Sequence, residues 1–126
     1  MTTIKSYTDL LQSKKLAEIL PLESADMGYI PSAEDDDGNT LYTADFKSEF
    51  IFSEDYITCW SLASLIESIT KVQQNGIFYN LTYDCILNKW TMNIEADNWR
   101  EDVVLYDNPV DACYEMILKL HEQKLL

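Results

Sequence analysis

The chain has 126 residues, of which 47% are hydrophobic and 12% aromatic, and 22 acidic residues stand against nine Lys and Arg. This length and apolar fraction predict one globular domain with a sizeable core. The formal net charge of −13 opposes direct binding to nucleic-acid phosphates and to anionic membranes, because both need positive charge. Charge of this size also keeps a protein soluble, and solubility alone would account for it.

The start of the chain and its cysteines indicate the compartment. Residues 1–6 lack the apolar run of a signal peptide, and no segment approaches the roughly 18 apolar residues that span a bilayer. Cys59, Cys85 and Cys113 are far apart and form no CxxC pair. An odd, scattered set of this kind predicts reduced, buried thiols in a cytoplasmic protein.

The N-terminal region favours helix over residues 7–20, either as one helix or as two with a kink near Ser13. Thr8 or Ser6 can cap its start, and Pro21 is predicted to end it.

The next region is the most acidic part of the chain. Residues 23–55 contain ten acidic residues and one base, Lys47. Apolar residues flank the turn sequence Asp37-Gly38-Asn39, which predicts a hairpin with an acidic tip. Whether residues 50–52 add a further strand stays open.

A second helix is predicted over residues 62–72, where apolar residues recur at helical spacing. Ser61 or Thr58 can cap it, Trp60 is expected to anchor its start in the core, and residues 75–76 should stop it.

Strict alternation of apolar and polar residues over 77–85 and 90–96 predicts a hairpin that turns near residues 88–89. Residues 97–102 are expected to form a polar loop, and residues 103–106 a third strand.

The last stretch has clear signals of a helix. Asn108 is a good N-cap, Pro109 fits the first helical position, and Asp111 places negative charge at the positive end of the dipole. One face is predicted to be buried and consists of Val110, Cys113, Tyr114, Ile117, Leu120 and His121.

Together these elements predict an α+β fold over residues 1–126 as a single domain. It has an antiparallel three-strand meander plus an N-terminal hairpin, packed by helices mainly on one face. The order helix, three strands, helix is also that of double-stranded-RNA-binding domains. Those domains need cations at the start of the last helix, where this chain carries Asp107, Asp111 and Glu115, so RNA binding is rejected.

The sequence contains no complete local motif for metal binding or catalysis. A calcium loop with Gly38 as its sixth position would place Ala33 and Ala44 where the first and twelfth ligands belong. His121 has no partner at helical spacing, since Cys113 lies about 12 Å away at 1.5 Å per residue. No phosphate loop, GxSxG or HExxH sequence occurs. We therefore predict no enzyme activity, no catalytic residue, no metal ligand and no cofactor.

The leading hypothesis is a non-enzymatic protein–protein interaction protein that engages a basic surface. Trp99 in a polar loop, and Tyr29 and Tyr42 beside the acidic hairpin, would form an aromatic patch if they are exposed. The carboxylates expected to rim this patch are Glu34, Asp35, Asp36 and Asp37. The alternatives are a DNA mimic that occupies a nucleic-acid-binding protein, and an enzyme with a concave pocket. The oligomeric state stays open.

Residues 20–27, 59–63 and 107–122 together resemble segments of small, acidic, uncharacterised proteins encoded in gut Bacteroides genomes, often among phage or mobile-element genes. The resemblance implies a cytosolic setting and a mobile-element origin, and it implies no activity or site residue.

Overall fold

The computed structural model describes residues 5–46, 56–71, 78–96, 99–100 and 104–126, which form an α+β fold. Its helices are α1 (Leu10–Leu16), α2 (Leu62–Thr70) and α3 (Pro109–Glu122). Its strands are β1 (Met27–Glu34), β2 (Thr40–Phe46), β3 (Ile57–Cys59), β4 (Phe78–Asp84), β5 (Lys89–Ala96) and β6 (Trp99–Arg100). The predicted fold class is confirmed. The predictions for residues 50–52 and 75–76 lie outside the described residues.

The first helix begins at Leu10, three residues later than predicted. Asp9 is its N-cap, accepting a hydrogen bond from the Gln12 backbone N–H, while the Gln12 side chain accepts from the Asp9 N–H. This reciprocal capping box displaces the predicted caps Thr8 and Ser6. The helix ends at Leu16, well before Pro21, and a short 3-10 turn over Leu22–Ser24 follows.

The other two helices begin where the sequence predicts. Ser61 caps α2 and accepts from the Ser64 N–H. Asn108 caps α3, with Pro109 at its start and Asp111 in its first turn. The predicted caps and the dipole arrangement of α3 are therefore confirmed.

The buried face of α3 is rotated relative to the prediction. Tyr114 is only half-buried and His121 is exposed, so neither belongs to the fully buried stripe. Their places are taken by Ala112 and Met116, which join Val110, Cys113, Ile117 and Leu120 in the core. The reason is that α3 packs against both α2 and β5, so its buried surface follows two neighbours instead of one.

The N-terminal sheet has the strand order β2-β1-β3, and all its pairs are antiparallel. The predicted hairpin is confirmed, with Met27 opposite Phe46 and Glu34 opposite Thr40. The register shifts between Pro31 and Ala33, which marks a β-bulge. Strand β3, which the sequence analysis did not predict, pairs with the first residues of β1.

The second sheet has the order β4-β5-β6. The β4–β5 hairpin is confirmed, but the loop and third strand predicted after it are wrong in part. Trp99 and Arg100 form β6 beside β5 instead of a loop. Val104 and Leu105 are exposed and lie in no strand, and Tyr106 makes only an isolated bridge to Trp90. Val103 lies outside the described residues.

The main core gathers residues from α1, α2, α3 and β5 around Trp60, which is 0% exposed as predicted. A smaller cluster under the N-terminal sheet contains Met27, Tyr29 and Cys59. All three cysteines are free, and Cys59 and Cys113 are buried as predicted, whereas Cys85 is exposed in the β4–β5 turn. Among the described helices, none has both the length and the apolar character needed to cross a bilayer.

Gly28 occupies a position where no side chain fits. A Cβ atom there would lie 1.8 Å from Cε2 of Tyr56, whose hydroxyl donates to the Met27 carbonyl at 3.0 Å. We expect Gly28→Ala to displace this ring and to lower the free energy of unfolding by about 1–3 kcal/mol, as overpacking does. Urea denaturation measures the loss. In the background Tyr56→Ala the same substitution should cost much less, and equal costs in both backgrounds would contradict this explanation.

Candidate interaction surface

The β1–β2 hairpin divides into a buried base and an exposed outer half. Residues 27–29 of β1 are buried, whereas Ser32, Ala33 and Glu34 are all exposed. Because successive residues of a strand point to opposite faces, consecutive exposed residues mean that both faces of the outer half are open to solvent. Thr40 and Leu41 on β2 are exposed as well. The outer half therefore projects from the fold as a two-stranded ribbon.

The tip of this ribbon is organised by Asp35. Its Oδ1 atom accepts from the backbone N–H groups of Asp37 at 2.9 Å and Asn39 at 2.8 Å, and Gly38 has a φ of 82°. Only a residue without Cβ adopts this conformation without strain, so the glycine belongs to the turn. The bonds from Asn39 are the largest cause that lowers the pKa of the Asp35 carboxyl. The Asp35 carboxylate therefore stabilises the turn of the hairpin.

The remaining carboxylates of the hairpin are exposed, and no cation of the described residues forms an ion pair with them. Glu34, Asp36, Asp37 and Asp45 are all exposed. Residues 16–46 contain no Lys, Arg or His. Every ion pair found between described residues lies elsewhere, at Lys5, Lys15, Lys71 and Lys89. We call Glu34, Asp36 and Asp37 the acidic ribbon; its negative charge is not neutralised by the described part of the chain. Asp45 lies apart from it, opposite Gly28 at the base of the hairpin.

The three predicted aromatic residues do not share one surface. Tyr29 is 8% exposed, and its hydroxyl donates to the Thr8 carbonyl at 2.6 Å, so its predicted place in an exposed patch is wrong. Tyr42 is half-buried and packs against the small cluster at the base of the sheet. The backbone of Trp99 belongs to β6, and its side chain lies outside the described residues. Tyr29 is therefore excluded from the predicted patch, the acids and Tyr42 keep their place at the hairpin, and the exposure of Trp99 stays a prediction.

A buried polar cluster, which the sequence analysis missed, anchors the base of the hairpin. Thr8 is 0% exposed; its hydroxyl lies 2.8 Å from the Ser13 hydroxyl and accepts from the Trp60 N–H at 3.2 Å. The Cys59 thiol donates to the Thr8 carbonyl at 3.4 Å, the same carbonyl that Tyr29 reaches. Burial raises the pKa of the Cys59 thiol, which makes it a poor nucleophile. This cluster is structural.

Two carboxylates join distant segments of the chain. Asp26 accepts from the Ser61 backbone N–H at 3.0 Å and from the Ser61 hydroxyl at 2.5 Å. Asp111 accepts from Lys5 Nζ and Gln12 Nε2, each at 2.8 Å, and so ties the N-terminal segment to α3. Burial raises the pKa of both carboxyls, but the hydrogen bonds outweigh it, so both pKa values are lowered.

These lowered pKa values predict acid sensitivity. A carboxyl with a lower pKa in the folded state stabilises the fold above its unfolded pKa of about 3.9, and this stabilisation is lost as the pH falls below that value. We expect Asp111→Asn to reduce the free energy of unfolding at pH 7 by about 1 kcal/mol, with solvent screening allowed for, and to flatten its decline below pH 4. Urea denaturation across pH measures both effects. Asp36→Asn removes an exposed, unpaired carboxylate and should leave stability unchanged; an equal loss there would contradict the assignment.

The other residues considered for chemistry do not converge. His121 is exposed, and its Nδ1 atom lies 3.1 Å from the Leu126 carbonyl oxygen. Cys113 is buried, which raises the pKa of its thiol to about 12. Among the described residues, no three His, Cys, Asp or Glu side chains are grouped so as to hold a metal ion. The acidic ribbon is thus the feature of the described surface that is best suited to recognition.

Comparison of the chain with protein-family models, with curated proteins and with solved structures found no match.

Proposed function

We propose that this protein is a non-enzymatic interaction protein whose acidic ribbon binds a basic surface of a partner protein. The single observation that supports this most is the segregation of charge. Elsewhere in the described fold, carboxylates such as Asp9, Asp107 and Asp111 are paired with Lys residues, whereas the projecting hairpin has acids only.

Physical reasons favour such a surface for association. Carboxylates on a projecting ribbon are accessible from both faces, and an uncompensated local charge steers an oppositely charged partner and raises the association rate. Leu41 on the ribbon is 46% exposed, and Phe46 at the base of the hairpin is 64% exposed, so the hairpin also offers apolar area. A charged rim around apolar contacts is the usual composition of a transient protein interface.

Binding of a lysine-rich probe tests the proposal directly. We expect a capped oligolysine peptide to bind the protein at low salt and to weaken steeply as salt is raised past the point where the Debye length falls to about 10 Å. Isothermal titration calorimetry provides the affinity, and a capped oligoglutamate peptide is the matched control. Equal binding of both peptides, or of neither, would refute the proposal.

A DNA mimic would use the same charge against a different class of partner. This alternative predicts that the protein competes with duplex DNA for a DNA-binding protein, and that the competition is lost together with the acidic ribbon. A fluorescence competition assay with labelled duplex measures this. If the protein still competes after Glu34, Asp36 and Asp37 are neutralised, the ribbon is not the surface that mimics DNA.

A further inference from the structure

The outer edge of β2 carries backbone groups that no described strand uses. Strand β2 lies at the end of the order β2-β1-β3, so within the described residues only β1 pairs with it. In an antiparallel pair, alternate residues direct their N–H and C=O groups to the partner strand and the others direct them outward. Three local contacts identify which residues of β2 point outward.

Pro31 lies opposite Tyr42 and has no N–H to donate, so this pair is one of the non-hydrogen-bonded pairs. The Phe46 N–H is bonded to its neighbour, the Asp45 carboxylate, at 2.8 Å instead of to β1. The Leu41 carbonyl, by contrast, faces β1, where it accepts from the side-chain hydroxyl of the bulge residue Ser32 at 3.2 Å. All three contacts agree that Tyr42 and Ala44 point their backbone groups outward, whereas Leu41 and Thr43 face β1.

Within the described residues, this edge lacks most of the usual protection against strand pairing. Natural edge strands are guarded by Lys, Pro, bulges or very short length. Strand β2 has seven residues, Thr40–Phe46, with no Lys and no Pro, and the bulge of this pair lies on β1. Its sequence is rich in Thr, Tyr and Phe, which suit an extended strand. The protection that β2 does have is negative charge, from Asp45 and from the acidic residues of the turn.

From this edge, which no described strand covers, and from its charge we infer that β2 binds an extended, basic segment of the partner by strand addition. The inference rests on the proposed function and specifies how the partner is held. Backbone hydrogen bonds at Tyr42 and Ala44 would provide affinity, and Lys or Arg side chains beside the acidic ribbon would provide selection. A second copy of this chain is disfavoured, because pairing two β2 edges would bring two acid-only hairpins together.

The test uses a capped peptide of alternating Lys and Val, and the same peptide N-methylated at alternate residues. Both carry equal charge, but the methylated form cannot form a ladder. We expect the first peptide to bind at least about tenfold more tightly, the factor for roughly one net hydrogen bond.

Amide hydrogen exchange provides a second test. The N–H groups of Tyr42 and Ala44 should exchange fast in the free protein and slowly in the complex, whereas the N–H of Thr43 should exchange slowly in both. Amides of Tyr42 and Ala44 that are already protected in the free protein would overturn the inference.

The variant Ala44→Pro removes one outward N–H without removing a bond to β1, and Ala44→Ser keeps that N–H. We expect the proline variant to lose about tenfold in affinity for the Lys–Val peptide, with the serine variant unchanged. If Ala44→Pro does not fold, the comparison of the methylated and unmethylated peptides on the unmodified protein still tests strand addition. Equal binding of both peptides would refute strand addition yet leave charge-based docking intact. Binding of neither peptide refutes strand addition, and the oligolysine titration then decides the proposed function separately.

Discussion

Neutralising the acidic ribbon with Glu34→Gln, Asp36→Asn and Asp37→Asn should weaken oligolysine binding by up to about tenfold at low salt. Each exposed charge pair contributes a few tenths of a kcal/mol, and three acting on one ligand together approach a factor of ten. The loss should appear mainly in the association rate, because charge on a projecting ribbon acts before contact is made. Stopped-flow fluorescence separates this rate from the dissociation rate.

The matched control removes the same number of carboxylates elsewhere, through Glu18→Gln, Glu23→Gln and Glu122→Gln. All three residues are exposed and lie outside the hairpin. Both triple variants have the same net charge, so a difference between them measures position, apart from the exposed ion pair that Glu18 forms with Lys15. We expect the control to lose threefold or less in affinity. Equal losses in the two variants would mean that only the overall charge matters, and the hairpin would then have no special role.

We also expect a large loss of folding stability when Thr8 is replaced. Replacing Thr8 with Val keeps the shape of the side chain but removes the hydroxyl that accepts from the Trp60 N–H and bonds the Ser13 hydroxyl. Both groups would stay buried without that partner, at a cost of about 1–3 kcal/mol each, so we expect the free energy of unfolding to fall by about 3 kcal/mol. Urea denaturation with an unchanged m-value measures this loss.

Thr43→Val is the control for this substitution, since Thr43 is exposed on β2 and its change should stay within about 0.5 kcal/mol. The double variant Thr8→Val with Ser13→Ala should regain part of the loss, because the Ser13 hydroxyl is then no longer left without its partner. A stability for Thr8→Val equal to that of the control would show that the buried polar cluster contributes nothing. The cluster links stability to the site, since the Thr8 carbonyl holds Tyr29 at the base of the hairpin.

Local signals in the sequence predicted the elements that depend on local chemistry. Asn108 and Ser61 cap their helices as expected because an N-cap needs only a short polar side chain next to the helix it starts. The two hairpins followed from alternation and turn residues. The start of α1 was misplaced because Ser6, Thr8 and Asp9 are all competent caps. The choice fell to Asp9 because the fold buries Thr8 and uses its hydroxyl elsewhere.

Features that depend on distant contacts were not predictable. The three residues of β3 have no signal of their own and become a strand only by pairing with β1. Tyr29 looks like a hairpin residue in the sequence, but which half of a hairpin is buried depends on the segments that cover it, here the one around Thr8. The rotated face of α3 likewise reflects two packing partners at once. For the candidate site, the sequence predicted the acids and the turn, while the exposure of each residue required the structure.

Residue-level NMR mapping shows whether the acidic ribbon is the surface that binds the basic peptide. Titrating the oligolysine peptide into the uniformly ¹⁵N-labelled protein should perturb the amides of residues 34–46 and leave those of the β4–β5 turn unchanged. That turn is the informative comparison, since it exposes Ile86 at 88% and Leu87 at 53%. Shifts concentrated in the β4–β5 turn, or spread evenly over the fold, would contradict the proposal that the acidic ribbon is the binding surface.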